Sequence, residues 1–233
     1  MTNTFLPGRR SLLTRAGAVG LAAAGMAALP ARAATPAQRL LLTAQSTEGP
    51  YYFDPKLMRA DITEGLPGVP LEVRFVVLDQ AGTPWPGARV DIWHCDAAGH
   101  YSGYPGQGED GAVNTRGKTF LRGSLVTGAD GAAAFRSIYP GWYEGRTTHI
   151  HFKVLAGAAG KSRDVLTSQF FMPDAVSEYI YTSQPAYKRA RVRRTLNSND
   201  GIALRAGGSV IGAVRQEGTR YIGTLNVVVD RAG

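Results

Sequence analysis

The chain has 233 residues, 44% hydrophobic and 19% charged, a composition that excludes a mini-protein, a coiled coil and a disordered polymer. Its 29 glycines and 13 prolines fall between short apolar runs, as turns do in an all-β protein. Four of the arginines behind the formal charge of +8 lie within residues 1–33; the remainder holds 22 basic against 18 acidic side chains and no basic stripe interleaved with aromatics, so no nucleic-acid partner is expected.

Residues 1–33 read as an export signal. Gly8-Arg9-Arg10-Ser11-Leu12-Leu13 precedes an apolar stretch from Ala16 to Leu29, and Ala31-Arg32-Ala33 is a small-x-small cleavage pattern. The stretch is too short and too rich in Ala and Gly for a membrane span, which needs about 20 apolar residues. No membrane insertion is therefore expected after cleavage. Adjacent arginines ahead of the apolar run resemble a twin-arginine signal, which exports folded proteins, often around a cofactor, to the periplasm or beyond. Residues 34–46 read as a tether, and 47–233 as one domain.

Thr47-Glu48-Gly49-Pro50-Tyr51-Tyr52 is a turn with paired aromatics. Leu71, Val73, Phe75 and Val77 then alternate with polar or smaller residues, the period of a half-buried strand, and Asp79-Gln80-Ala81-Gly82 closes it. Further strands are predicted over Ala88 to Trp93, Phe120 to Thr127, Ala132 to Ser137, His149 to Leu155, Leu166 to Phe171 and Tyr221 to Val229. Seven or more short strands predict an all-β, single-domain β-sandwich with long active-site loops and little helix. The basic run Ala186 to Leu196 reads as a single helix or a loop with a solvated face.

Chemistry concentrates around His149-Ile150-His151. On a strand, residues i and i+2 share a face, so the two imidazoles either chelate one ion or simply line an exposed surface. The loop Tyr139 to Thr148 delivers Tyr143 and Arg146 just before this strand, and the segment Val90 to Tyr104 runs from a strand into a glycine turn bearing Tyr101. Either tyrosine alone reads equally as packing. The sole cysteine, Cys95, excludes a multi-thiolate site, so a metal here must be held by nitrogen and oxygen donors.

At these residues the sequence resembles the intradiol ring-cleavage dioxygenases, the catechol, protocatechuate and hydroxyquinol enzymes, and in outline their exported short-chain branch. The resemblance rests on Thr47 to Tyr52, Trp93 to Tyr101, Phe120-Leu121-Arg122-Gly123, Pro140 to Phe152 and Ser168-Gln169-Phe170-Phe171, in the family's order. It implies a non-haem ferric ion held by Tyr101, Tyr143, His149 and His151, with Tyr143 and His151 axial and Tyr143 displaced by substrate. Arg146 matches the family arginine that stabilises charge on the activated substrate, and Gln169 a glutamine beside the centre. The implied reaction is O₂-dependent cleavage of a small aromatic diol between its hydroxyl-bearing carbons, giving a cis,cis-muconate-type product.

The implied ligand set also balances charge: two phenolates and one hydroxide neutralise Fe³⁺, which suits a partly desolvated pocket. Two other readings stay open from the residues. In one, His149 and His151 join a carboxylate such as Glu144 or Asp96 around Zn²⁺ or Fe²⁺; in the other, the chain is a non-catalytic exported binding module. Arg146 reads alternatively as a surface partner of Glu144 or Asp164. His94 is expected in the core or just behind the site and His100 in a turn. Cys95 reads as a buried small hydrophobe, and Tyr51, Tyr52, Tyr104 and Trp142 as pocket lining or core.

Overall fold

The structure is a computed structural model that describes residues 39–157 and 162–231. The expected leader and its cleavage site lie outside the described residues, as do residues 34–38 of the expected tether. Strand β1 (Pro70–Asp79) turns Leu71, Val73, Phe75 and Val77 inward, as their alternation predicts. It pairs antiparallel with β4 (Ala132–Ile138) and parallel with β8 (Arg220–Val229), which in turn pairs antiparallel with β7 (Ala213–Glu217). The second sheet has the order β3 (Arg122–Val126), β2 (Arg89–Trp93), β5 (His149–Ala156), β6 (Arg163–Phe171), with every pair antiparallel.

The two four-stranded sheets enclose one apolar core, so the chain is an all-β sandwich. Phe75 joins the layers: its ring centroid lies 4.8 Å from that of Phe152 on β5 and 6.3 Å from that of Phe170 on β6. Strand β5 is buried on both faces. Ile150, Phe152 and Val154 enter the core, whereas His149 and His151 are covered from the other side by loops.

Three features depart from the expectations. β7 is a mostly exposed edge strand whose Arg215-Gln216-Glu217 carry no apolar alternation, so the sequence gives no strand signal there. Helix lies not over Ala186 to Leu196 but at α1 (Asp174–Ser183) and α2 (Gly201–Ala206). α1 ends before Pro185, because the residue preceding a proline avoids helical geometry, and the basic run continues as a loop after a short 3₁₀ turn. Nor is that run wholly solvated: the Arg193 side chain is 3% exposed and donates to Asp174 at 2.9 Å.

The described part of the segment read as a tether is fastened to both sheets. Leu40 N donates to Gln80 O at 2.8 Å, Thr43 N to Val228 O at 2.9 Å and Ser46 N to Thr167 O at 2.8 Å. Among the described residues no helix is long and apolar enough to cross a membrane.

Candidate metal centre

His149 and His151 project from the same face of β5, as their i, i+2 spacing requires. His151 sits across the ladder from Trp93 on one side and Gln169 on the other. The Trp93 indole stacks on its ring at 4.9 Å with an interplanar angle of 10°, which fixes the imidazole plane. The turn at Thr47 to Pro50 passes directly above: a Cβ on Gly49, whose φ is +72°, would lie 3.3 Å from His151 Cε1.

Tyr101 follows a turn in which Asp96 Oδ1 accepts from the backbone N–H groups of Ala98 and His100. Its own backbone is clamped, because Tyr101 N donates to Gln107 Oε1 at 3.1 Å and Thr115 Oγ1 donates to Tyr101 O at 2.6 Å. Tyr143 arrives on the neighbouring loop. Gly141 lets the two loops touch: its N–H donates to Asp96 O at 3.0 Å, and a Cβ there would fall 2.4 Å from that oxygen.

Four donor atoms therefore meet. Tyr101 Oη lies 3.4 Å from Tyr143 Oη and 3.3 Å from His149 Nε2; His149 Nε2 lies 3.0 Å from Tyr143 Oη and 3.1 Å from His151 Nε2. Donors held at about 2.0–2.2 Å by one shared ion and at right angles to one another would be separated by about 3 Å. His149 Nδ1 lies 2.7 Å from Thr147 O, so Nδ1–H donates there and the Nε2 lone pair faces the cluster. His151 Nδ1 is buried without a hydrogen-bond partner, so apart from the Nε2 contact with His149 that ring is oriented by packing. Burial pushes the His149 pKa down to about 3 and lowers that of His151 well below its ordinary value, which keeps both imidazoles neutral and available as ligands. Burial also raises both tyrosine pKa values well above the usual phenol range. A strong cation at their oxygens is what would reverse that preference, and this donor set of hard oxygens and imidazoles fits a ferric ion.

Arg146 lies against this cluster, with Nη2 donating to Gln169 Oε1 at 2.5 Å and Nε to Asp200 Oδ2 at 2.8 Å. Its partner is thus neither Glu144 nor Asp164. Gln169 is anchored in turn by Nε2 donating to Thr47 O at 2.9 Å. Asp200 was not singled out from the sequence. Its Oδ1 caps α2 by accepting from Ile202 N and Ala203 N, while Oδ2 accepts from Thr147 N and Arg146. An Asp ahead of Gly201-Ile202-Ala203 is a legible cap signal, but its reach to Arg146 is a tertiary fact. Burial disfavours the Asp200 charge, yet these hydrogen bonds prevail and hold its carboxyl below the ordinary range.

The remaining candidates fall outside the donor cluster. His94 is fully buried with its nitrogens 2.8 Å from Cys95 O and 2.7 Å from Ser137 Oγ, and burial lowers its pKa to about 4. His100 faces Asp96, Glu144 binds Arg191, and among the described residues no group of three His, Cys, Asp or Glu side chains converges. Tyr51 stacks on Tyr101 at 4.6 Å, and with Trp142 it lines a cavity of about 700 Å³ that opens beside Tyr101 and Tyr143. Tyr52 instead donates to Asp91, and Tyr104 to Tyr52 O.

The fold and the site define an all-β sandwich with a two-tyrosine, two-histidine candidate metal centre on the loop-covered outer face of one sheet, at the start of its inner strand β5. A family model described as Dioxygenase matches residues 47–199, and the chain belongs to the intradiol ring-cleavage dioxygenase family. It is 30% identical over 151 residues to catechol 1,2-dioxygenase 1 of Acinetobacter lwoffii, covering 55% of this chain and 45% of that protein. It is 31% identical over 139 residues to the protocatechuate 3,4-dioxygenase beta chain of Burkholderia cepacia, covering 54% of this chain and 57% of the relative. The chain thus spans about half the length of these curated relatives. An intradiol ring-cleavage dioxygenase from Tetranychus urticae superposes with a TM-score of 0.73 at 29% identity, over 83% of this chain and 96% of that one. A dioxygenase domain from Streptomyces sp. SirexAA-E superposes with a TM-score of 0.58 at 29% identity, over 81% and 98%.

Proposed function

We propose that this chain is a non-haem Fe(III) intradiol dioxygenase that opens the ring of a catechol-type substrate with O₂, between its two hydroxyl-bearing carbons, to a cis,cis-muconate-type diacid. The observation that carries the reading is the approach of Tyr101, Tyr143, His149 and His151 donor atoms to 3.0–3.4 Å of their neighbours. A ferric ion held by these four residues would supply Lewis acidity and a template for a chelating diol.

The roles of the side chains follow from their surroundings. Tyr101 is fully buried and clamped through its backbone, which suits a permanent ligand. Tyr143 is only partly buried and lines the cavity, which suits a ligand that leaves and takes a proton from the incoming diol. Arg146 is held by Asp200 and Gln169, so its permanent charge is oriented in advance toward negative charge developing on the ring. Tyr51 and Trp142 give the cavity aromatic walls for a planar substrate.

The test is to load the purified chain with ferric iron and incubate it with catechol, protocatechuate, hydroxyquinol and chlorinated catechols, following muconate absorbance in the ultraviolet. Ring-opened product from at least one diol is expected; none from any overturns the reading. We further propose export by the twin-arginine route, on the strength of Arg9-Arg10 and the Ala31-Arg32-Ala33 step. Replacing both arginines by lysine should retain the chain in the cytoplasm, and unchanged export would exclude that route.

A further inference from the structure

The cavity beside the donor cluster exceeds the needs of a bare ring. At about 700 Å³ it falls in the range that encloses a drug-sized ligand, and it extends from Tyr101 and Tyr143 past Trp142 to Arg189 and Arg191. The two arginines differ in their partners. Arg191 is engaged, with Nη1 donating to Glu144 at 2.8 Å and Nε 3.1 Å from Glu109. Arg189 has its guanidinium 4.8 Å from the centroid of the Trp142 ring, and its buried Nη2 lacks a hydrogen-bond partner. Among the described residues no carboxylate forms an ion pair with it.

A guanidinium keeps its charge near neutral pH and offers a planar fork matched to a carboxylate. Nη2 is closed off against Gly99, so Nε and Nη1, which are unpartnered and not buried, are the N–H groups that the stacked guanidinium keeps for such a ligand. A monoanion suits one unpaired cation, whereas Glu109 and Glu144 on the same wall would repel a dianion such as phosphate. The guanidinium at the donor atoms is Arg146; Arg189 stands beyond Trp142, so its ligand is an acid group set away from the ring.

We propose that Arg189 binds the carboxylate of a side chain carried by the diol ring, making side-chain acids of catechol the preferred substrates of this chain. This rests on the ring-cleavage reading of the same site.

Caffeate and its methyl ester share ring and linker and differ in charge. With the iron-loaded chain, kcat/KM for the acid is expected to exceed that for the ester about tenfold or more, the scale of a charge-assisted hydrogen-bonded pair. In Arg189→Met that selectivity should fall toward one, mainly through KM, and Arg189→Lys should restore part of it. Equal use of acid and ester by the wild type, or a preference that survives Arg189→Met, overturns the assignment. A chain that opens no catechol ring at all refutes the ring-cleavage reading instead. Binding then decides on Arg189, read from quenching of tryptophan fluorescence during titration with each compound. Tighter binding of the acid in the wild type but not in Arg189→Met, with both proteins folded by circular dichroism, supports the pairing; equal binding of acid and ester overturns it. Should Arg189→Met not fold, Arg189→Gln serves in its place.

Discussion

At the scale of single residues, the four candidate ligands are not interchangeable. His149 touches each of the other three through Nε2 and is oriented by Thr147 O, while His151 is oriented chiefly by the Trp93 ring. His149→Ala and His151→Ala should each reduce bound iron from one per chain to near none, measured by elemental analysis after reconstitution; full occupancy in both would remove the pair from the centre. Tyr143→Phe should keep the iron, because Tyr101 and both imidazoles remain and Tyr143, only partly buried on the cavity wall, is the ligand suited to leave, but it should shift the visible tyrosinate absorption and slow ring opening. An unchanged spectrum would give that role to another residue. The His-x-His spacing made two ligands legible in the sequence, since strand geometry alone aligns them. The tyrosines were legible only through the family resemblance, because no local rule brings positions 101 and 143 together.

At the scale of elements, the site depends on two loops and one short helix. Gly141 is where the loops meet, and Gly141→Ala would drive a methyl group against Asp96 O and Ala97 O. Tyr101 and Tyr143 should then separate, so the variant is expected to fold with weakened iron binding and a diminished visible band; wild-type iron affinity would show that the loops move independently. α2 contributes through Asp200, whose carboxylate ties the cap of that helix to Arg146. Asp200→Asn retains a capping side chain but loses the charge, at a cost of about 1–3 kcal/mol. Because the folded-state pKa is depressed, this stabilisation is complete above the ordinary aspartate value of about 4 and is lost as the pH falls through the lower folded value. Thermal midpoints of the two proteins should therefore differ most at pH 5–7 and converge below about pH 4. Seven strands could be read from alternation and turn residues, whereas β7 could not, being an edge with little to bury. α1 was missed for a different reason. It buries only Ser177, Ile180 and Tyr181, too thin a stripe beside the dense arginines that follow to stand out.

At the scale of the whole molecule, the sandwich acts as a stiff frame and the chemistry is placed on its margin. Phe75 packs across both layers, and the segment from Leu40 to Ser46 hydrogen-bonds to strands of each sheet, so β5 is presented with its histidines already in position. Such a frame confines motion to the covering loops. Cys95 lies where those loops join: the residue is 1% exposed, its Sγ is 3.5 Å from Gly141 O, and burial raises its pKa far above the usual thiol range. A buried, protonated thiol is inert toward disulfide reagents until its cover lifts. The molecule consequently carries its own opening sensor. Labelling of Cys95 by an aromatic disulfide should be slow in the native protein, slower still with iron bound, and fast in Gly141→Ala, so that the rate clocks how often the two covering segments part company.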